Sequence, residues 1–176
     1  QYIVQPSDVL RAEAVAMLAG ISLDTKNFTM KTGVRTFEAA AFLRRAGADT
    51  ITVKQFFAIV MERNRELCDI IRTAVRYRDT LAIAYSEQET SREIGGQAAD
   101  DLLNIQGVQA SFVIFRHNGG TQISARSLGQ INVQLIMERL GGGGSLTGAG
   151  AQLGDKSVSE TADELRAAIE NYFALV

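Results

Sequence analysis

The sequence predicts an α/β fold in two parts, and three observations carry that prediction. The first 77 residues read as helix, with apolar residues recurring at three- and four-residue intervals. From residue 78 onward, strand-like and helix-like runs alternate. Two of the strand-like runs, "VQASFVIFRH" and "TQISARSL", are separated by Asn118 and Gly119, the strongest short-range hairpin signal a sequence offers. A 176-residue chain with 46% hydrophobic and 22% charged residues is ordinary globular material, large enough for one domain or two small ones sharing a cleft.

Pro6 and Ser7 open the first helix, with Ser7 as N-cap, Asp8 in the first turn and Val9, Leu10, Ala14, Met17 and Leu18 as its apolar stripe; Gly20 is expected to end or bend it. A second helix, "TFEAAAFLRRAGA", starts at a Thr36 cap and ends at Gly47, where a left-handed residue is wanted. The third spans about residues 53–77. Thr52 and Gln55 have capping-box spacing ahead of it, and Val53, Phe56, Phe57, Val60, Met61, Leu67 and Ile71 form a core-facing stripe. This helix is expected to connect residues 1–52 to residues 78–176.

Then come "LAIAYS" as a strand, "SREIGGQAADDLLNI" as a helix, the hairpin, and "INVQLIMERLG" as a helix running into the glycines. The last helix, "SVSETADELRAAIENYFALV", carries a Ser157/Glu160 capping box and buries Leu165, Ile169, Tyr172 and Phe173.

Several function classes drop out. A net charge of -2 and a pI near 5.5 argue against a surface that coats nucleic acid, which needs clustered Lys and Arg. Cys68 is the single cysteine, so no intrachain disulfide forms; a reducing cytosolic setting and an idle thiol follow. No run of about 18 apolar residues exists to span a membrane. The chain opens on Gln1 without a methionine or a signal-peptide pattern, as a piece of something longer would.

Two segments carry more chemistry than stability requires. In "AGISLDTKNFTM", Asp24 leaves an apolar run as a hard oxygen donor suited to a divalent cation; one carboxylate is not a metal site, and the spacing alone favours a turn-capping aspartate. In "ISARSLGQINVQLIMERLGGGGS", Arg126 lies between Ser124 and Ser127 in the chain's order, a short helix begins after Asn132, and Gly141, Gly142, Gly143, Gly144 and Ser145 follow. A forked cation, hydroxyls and bare backbone N–H groups are the donors that grip phosphate; a surface arginine with a loose loop is the alternative. Neither GxGxxG nor GxxxxGK[ST] is satisfied. Folded elements close on both sides make the glycines a loop open to a ligand rather than a tether. His117, the only histidine, borders the turn and excludes a histidine cluster.

On these residues the chain resembles the DHH-type phosphoesterases. "LLNIQGVQASFVIF", "SARS", "INVQ" and "GGGG" are similar to their C-terminal DHH-associated domain, and "LAGISLDTKNFTMKTGVRTFEAAAFLRRAGAD" to the end of the preceding DHH domain. The closest likeness is to bacterial cyclic di-AMP phosphodiesterases, which carry membrane helices, a PAS-like sensor and a degenerate GGDEF domain upstream. The resemblance implies a smaller α/β domain with a mixed sheet, a manganese pair with Asp24 as one ligand, and nucleotide contacts from Ser124, Arg126, Ser127, Asn132, Gly141 to Gly144 and Ser145. It implies a cytoplasmic chain in a membrane-anchored parent, a cyclic dinucleotide or short oligonucleotide as ligand, compatibility with a homodimer, and no bulk nucleic-acid or membrane contact from this chain.

A DHH phosphoesterase of short oligonucleotides, of nanoRNase type, and a non-catalytic nucleotide-binding or dimerisation module are the alternatives. Two departures stand out. The remaining metal ligands of the family would lie upstream of Gln1, so this chain alone is expected to be inactive. Ser145 replaces the histidine that usually follows the glycines, a neutral donor where a charge-bearing one is customary.

Overall fold

The computed structural model describes residues 4–58 and 61–175, and the chain divides into two units, Gln1–Ile59 and Val60–Val176. In the first, a 3-10 turn (Pro6–Asp8) precedes α1 (Arg11–Asp24), α2 (Val34–Arg45) and α3 (Thr50–Phe56). Ala14, Val15, Leu18, Leu43, Ala48 and Val53 form its core. Gly47 is left-handed at φ 97° behind α2, as expected.

The helix starts differ from expectation, and local hydrogen bonds say why. Ser7 caps nothing: Asp8 instead takes the backbone N–H of Gln5 at 2.9 Å, closing the 3-10 turn before α1 begins. Gly20 does not end α1, which runs on to Asp24. Thr36 is the third residue of α2 and accepts from the N–H of Gly33. Asp49 rather than Thr52 caps α3, accepting both the N–H and the hydroxyl of Thr52; these bonds hold the Asp49 carboxyl below its ordinary pKa.

The single connecting helix expected over 53–77 is two helices and a strand: α3 ends at Phe56, α4 spans Met61–Arg72, and β1 covers Val75–Tyr77. Val60 lies outside the described residues. Of the expected stripe, Val53 and Leu67 are buried, whereas Phe56, Phe57 and Met61 are exposed within their own units. A β-branched run (Ile51, Thr52, Val53) followed by paired phenylalanines gives weak helix propensity and no single apolar face to carry a helix through. Thr73 ends α4 by donating its hydroxyl to Ile70 O at 2.7 Å and accepting the N–H of Tyr85 at 2.8 Å, which turns the chain into β1.

The second unit is a six-stranded mixed sheet between two helical layers. Its remaining elements are β2 (Leu81–Glu89), α5 (Arg92–Leu102), β3 (Ala110–His117), β4 (Gly120–Ser127), α6 (Val133–Glu138), β5 (Gly143–Gly144), β6 (Gly148–Gln152) and α7 (Val158–Phe173). The strand order is β1-β2-β3-β4-β6-β5; β2 and β3 are parallel and every other pair is antiparallel. The parallel pair requires a crossover, which α5 supplies.

Strand alternation sorts the side chains between two cores. Leu81, Ile83, Phe112, Ile114, Ile123, Ala125, Ala149 and Ala151 pack against α6 and α7. Ala82, Ala84, Val113 and Phe115 pack against α4 and α5. The Asn118–Gly119 turn closes the β3–β4 hairpin with both residues at positive φ, and Ser157 and Glu160 form the expected capping box on α7.

Helix α5 lies close to the sheet because it carries Gly95 and Gly96 in its interior. A Cβ at Gly95 would stand 2.4 Å from the ring of Phe115, which is itself 1% exposed and has nowhere to move. Gly95→Ala should therefore lower the stability of the chain by about 1–3 kcal/mol in urea unfolding, although alanine is the better helix former.

Candidate functional site

The α5 side of β4 presents Gln122, Ser124 and Arg126, since Ile123 and Ala125 are spent on the other core. Opposite them on β6 are Gln152, Gly150 and Gly148, and opposite Gly150 on β5 is Gly143. Cross-strand partners share a face, so Gly143, Gly150 and Ser124 form one row across the sheet, and Gly148 and Arg126 the next. Beyond β4 this face therefore carries bare backbone at three successive positions beside a guanidinium and a hydroxyl. Such a shelf admits a phosphate to the main chain and brings a cation to its edge.

Arg126 stands at the border between the shelf and α5. Its Nε lies 3.3 Å from Asp100 Oδ1, its Nη1 donates to Ala125 O at 2.9 Å, and its side chain remains 25% exposed. A Cβ at Gly96 would stand 2.9 Å from Nη2, so the second helix glycine makes room for the guanidinium as the first does for Phe115. Gly148 lies against the Arg126 stem on the other side, where a Cβ would meet Cδ at 3.8 Å. Gln122, the third β4 residue on this face, accepts from Arg92 Nε at 3.1 Å.

The glycine run, expected as a loop, turns at Gly141 and ends in the short edge strand β5, Gly143–Gly144, paired with β6. Gly142 and Gly144 must be glycine for the chain to lie against β6: a Cβ would reach 2.1 Å from Gly150 O at the first and 2.4 Å from Gly148 O at the second. Gly141 is left-handed at φ 75°. Gly143 alone of the four has neither reason, for its φ is unremarkable and a Cβ there would meet nothing within 4 Å.

The other expected donors are engaged elsewhere. Ser127 is 1% exposed on the face opposite Arg126, where its hydroxyl accepts the N–H of Gly129 at 3.0 Å. Asn132 caps α6, its Oδ1 accepting from Gln134 and Leu135, while its own N–H donates to Tyr172 Oη at 3.1 Å. Ser145 closes the turn into β6 through bonds from its N–H and hydroxyl to Gly148 O, and its side chain is exposed. His117 Nδ1 lies 2.9 Å from Thr90 O, to which it donates, and Nε2 faces the Asn118 amide at 3.2 Å. That tautomer ties the hairpin to the start of α5.

In the first unit, Asp24 is the last residue of α1 and is exposed, with Lys31 Nζ at 3.9 Å. A carboxylate at a helix C-terminus faces the negative end of the dipole, an arrangement that costs stability unless a cation offsets it. Lys26, Asn27 and Phe28 follow with φ of 47°, 54° and 65°, a run of left-handed residues without a glycine. Each costs about 1–2 kcal/mol. Asn27 N–H donates to Ser22 O at 2.8 Å and Phe28 N–H to Thr25 Oγ1 at 3.0 Å, and Phe28 stacks on Phe37, so the strained turn is held in place. No group of three or more His, Cys, Asp or Glu able to hold a metal occurs among the described residues. Asp24 therefore offers a cation one ligand, and this chain by itself does not fit a metal pair.

Gly96 and Asp100 escape a reading of the sequence alone. The signals were present: two adjacent glycines inside an otherwise regular helix, and two acids, Asp100 and Asp101, in its last turn, where the dipole disfavours them.

Comparison with known proteins agrees with this architecture. The chain is 48% identical over 166 residues to the cyclic-di-AMP phosphodiesterase PdeA of Listeria monocytogenes, covering 93% of this chain and 25% of that protein. It is 46% identical over 166 residues to the cyclic-di-AMP phosphodiesterase GdpP of Bacillus subtilis, covering 92% and 25%. It thus spans about a quarter of the length of these curated relatives. An exopolyphosphatase-related protein from Bacteroides fragilis shares the fold, with a TM-score of 0.85 over 97% of this chain and 53% of that one at 21% identity. No helix among the described residues is long and apolar enough to cross a membrane. Residues 78–175, more than half the chain and holding β2 to β6 with α5, α6 and α7, match the DHHA1 domain, and the chain belongs to that family.

Proposed function

We propose that this chain is the substrate-gripping part of a phosphodiesterase that hydrolyses cyclic di-AMP to the linear dinucleotide, and that its N-terminal unit is the end of the DHH domain. The observation that carries the reading is the 46–48% identity, over more than nine-tenths of the chain, to phosphodiesterases of that nucleotide. The geometry supports it. A cyclic dinucleotide carries two phosphates, and the shelf sets Arg126 and Ser124 beside the bare backbone of Gly143, Gly148 and Gly150. Arg126 neutralises a phosphate oxygen while the glycines let the sugar-phosphate backbone approach the sheet.

Manganese dependence is proposed for the parent enzyme, with Asp24 as one oxygen ligand and the others supplied from outside this chain. Bound together, the ions would activate a water for attack on phosphorus. This chain's residues bind and orient the nucleotide and do not cleave it: incubated with cyclic di-AMP and manganese, the chain should yield no linear product by chromatography.

Calorimetric titration tests the grip directly. Cyclic di-AMP should bind the chain with or without manganese, and Arg126→Ala should weaken binding about 10- to 100-fold, the usual loss for a charge-assisted phosphate contact. Ser145→His should tighten it by adding a group that can carry positive charge toward the phosphate. No binding by a folded chain would overturn the reading. Gly143→Ala should leave the unfolding midpoint unchanged and weaken cyclic di-AMP severalfold, because its new methyl meets no protein atom but stands on the shelf.

A further inference from the structure

We infer that Asp100 is a positioning residue for Arg126, and that Gly96 is its steric counterpart: together they set the guanidinium at the edge of the glycine shelf in the orientation that meets phosphate. The inference rests on the proposed phosphate contact by Arg126. It begins from two features of α5 that disfavour the helix taken by itself.

The first is charge. Asp100 and Asp101 occupy the last turn of α5, where carboxylates face the negative end of the helix dipole. Burial and then the neighbouring Asp100 charge push the Asp101 carboxyl above its ordinary pKa. An acid is held at 100 against these costs, and it stands 3.3 Å from Arg126 Nε. Both partners are only partly exposed, at 34% and 25%, which limits screening by solvent.

The second is space. Gly96 costs the helix about 1 kcal/mol relative to alanine. The nearest atom to a Cβ at that position is Arg126 Nη2, at 2.9 Å, with the guanidinium carbon next at 3.9 Å. The glycine is therefore explained by the guanidinium and by nothing else in the core. Asp100 fixes Nε, Ala125 O fixes Nη1, and Gly96 leaves Nη2 room beside the helix. An arginine anchored at Nε and Nη1 keeps donor hydrogens on Nη1 and Nη2 for an anion, and it loses less rotamer freedom when one binds.

Gly96→Ala separates this role from a structural one, because the atom displaced is the far end of a flexible side chain. The helix gains propensity while the guanidinium has to move. In titrations of the full chain with cyclic di-AMP, Asp100→Asn and Gly96→Ala should each weaken binding about tenfold, and neither should weaken it further in an Arg126→Ala background. The unfolding midpoint of Gly96→Ala should equal or exceed that of the parent chain. Asp100→Glu should recover part of the loss.

If Arg126→Ala weakens binding and Asp100→Asn and Gly96→Ala do not, or if Asp100→Asn tightens binding, the positioning role is overturned and the phosphate contact stands. Additive losses in the Arg126→Ala background overturn it too, because Asp100 and Gly96 would then act independently of Arg126. Absence of binding by the parent chain overturns both readings.

Discussion

The close approach of α5 to the sheet is the constraint on which the rest of the second unit depends. Strands β2 and β3 run parallel, so the chain must return across one face, and the returning helix has to bury that face. Two interior glycines let it come near enough. One receives the ring of Phe115 and the other the guanidinium of Arg126, while Ser111 donates to Ala99 O at 2.5 Å beneath the helix. The glycines cost about 1 kcal/mol each in helix propensity. Burial of Ile94, Ala98, Ala99, Leu102, Val113 and Phe115 offsets this many times over.

What could be read from the sequence follows from how much burial each segment achieves. Strands β2, β3 and β4 and helices α5, α6 and α7 are legible because the sheet's central strands bury alternate residues in both cores, so the apolar pattern is dense, whereas β1, β5 and β6 are short or glycine-rich and carry no such pattern. The first unit was less so. Its helices bury few side chains, and Leu10, Met17, Leu23, Val34, Phe37 and Phe56 remain exposed within it, so apolar spacing no longer distinguishes a core face. The expected connecting helix breaks for that reason: Phe56 and Phe57 in the first unit and Met61 in the second are exposed rather than buried.

At the site, residue type is legible in the sequence and the local hydrogen bonds each residue makes are not. Arg126, Ser127, Asn132 and Ser145 all have phosphate-binding chemistry, yet Ser127 secures a bend, Asn132 caps α6 and Ser145 closes a turn. Short polar side chains take the nearest backbone partner when one is offered, and no spacing rule reveals which will. The converse holds for Gly96 and Asp100. Each is out of place in its own helix, yet its meaning comes from Arg126, which follows Asp100 by 26 residues on another element.

The glycine run shows how fold and site can draw on the same residues without making the same demand. Packing against β6 accounts for Gly142 and Gly144, and a left-handed turn accounts for Gly141. None of those three needs a ligand to explain it. Gly143 has space for a side chain and a backbone conformation open to any residue, and its partner across the ladder is Gly150, which itself cannot carry a Cβ because Ile123 O lies 2.9 Å away. The sheet thus enforces a bare surface at Gly150 and leaves it optional at Gly143. Gly143 is the one glycine of the run that neither packing nor a left-handed backbone requires, and the register sets it in the row of Gly150 and Ser124, beside that of Gly148 and Arg126.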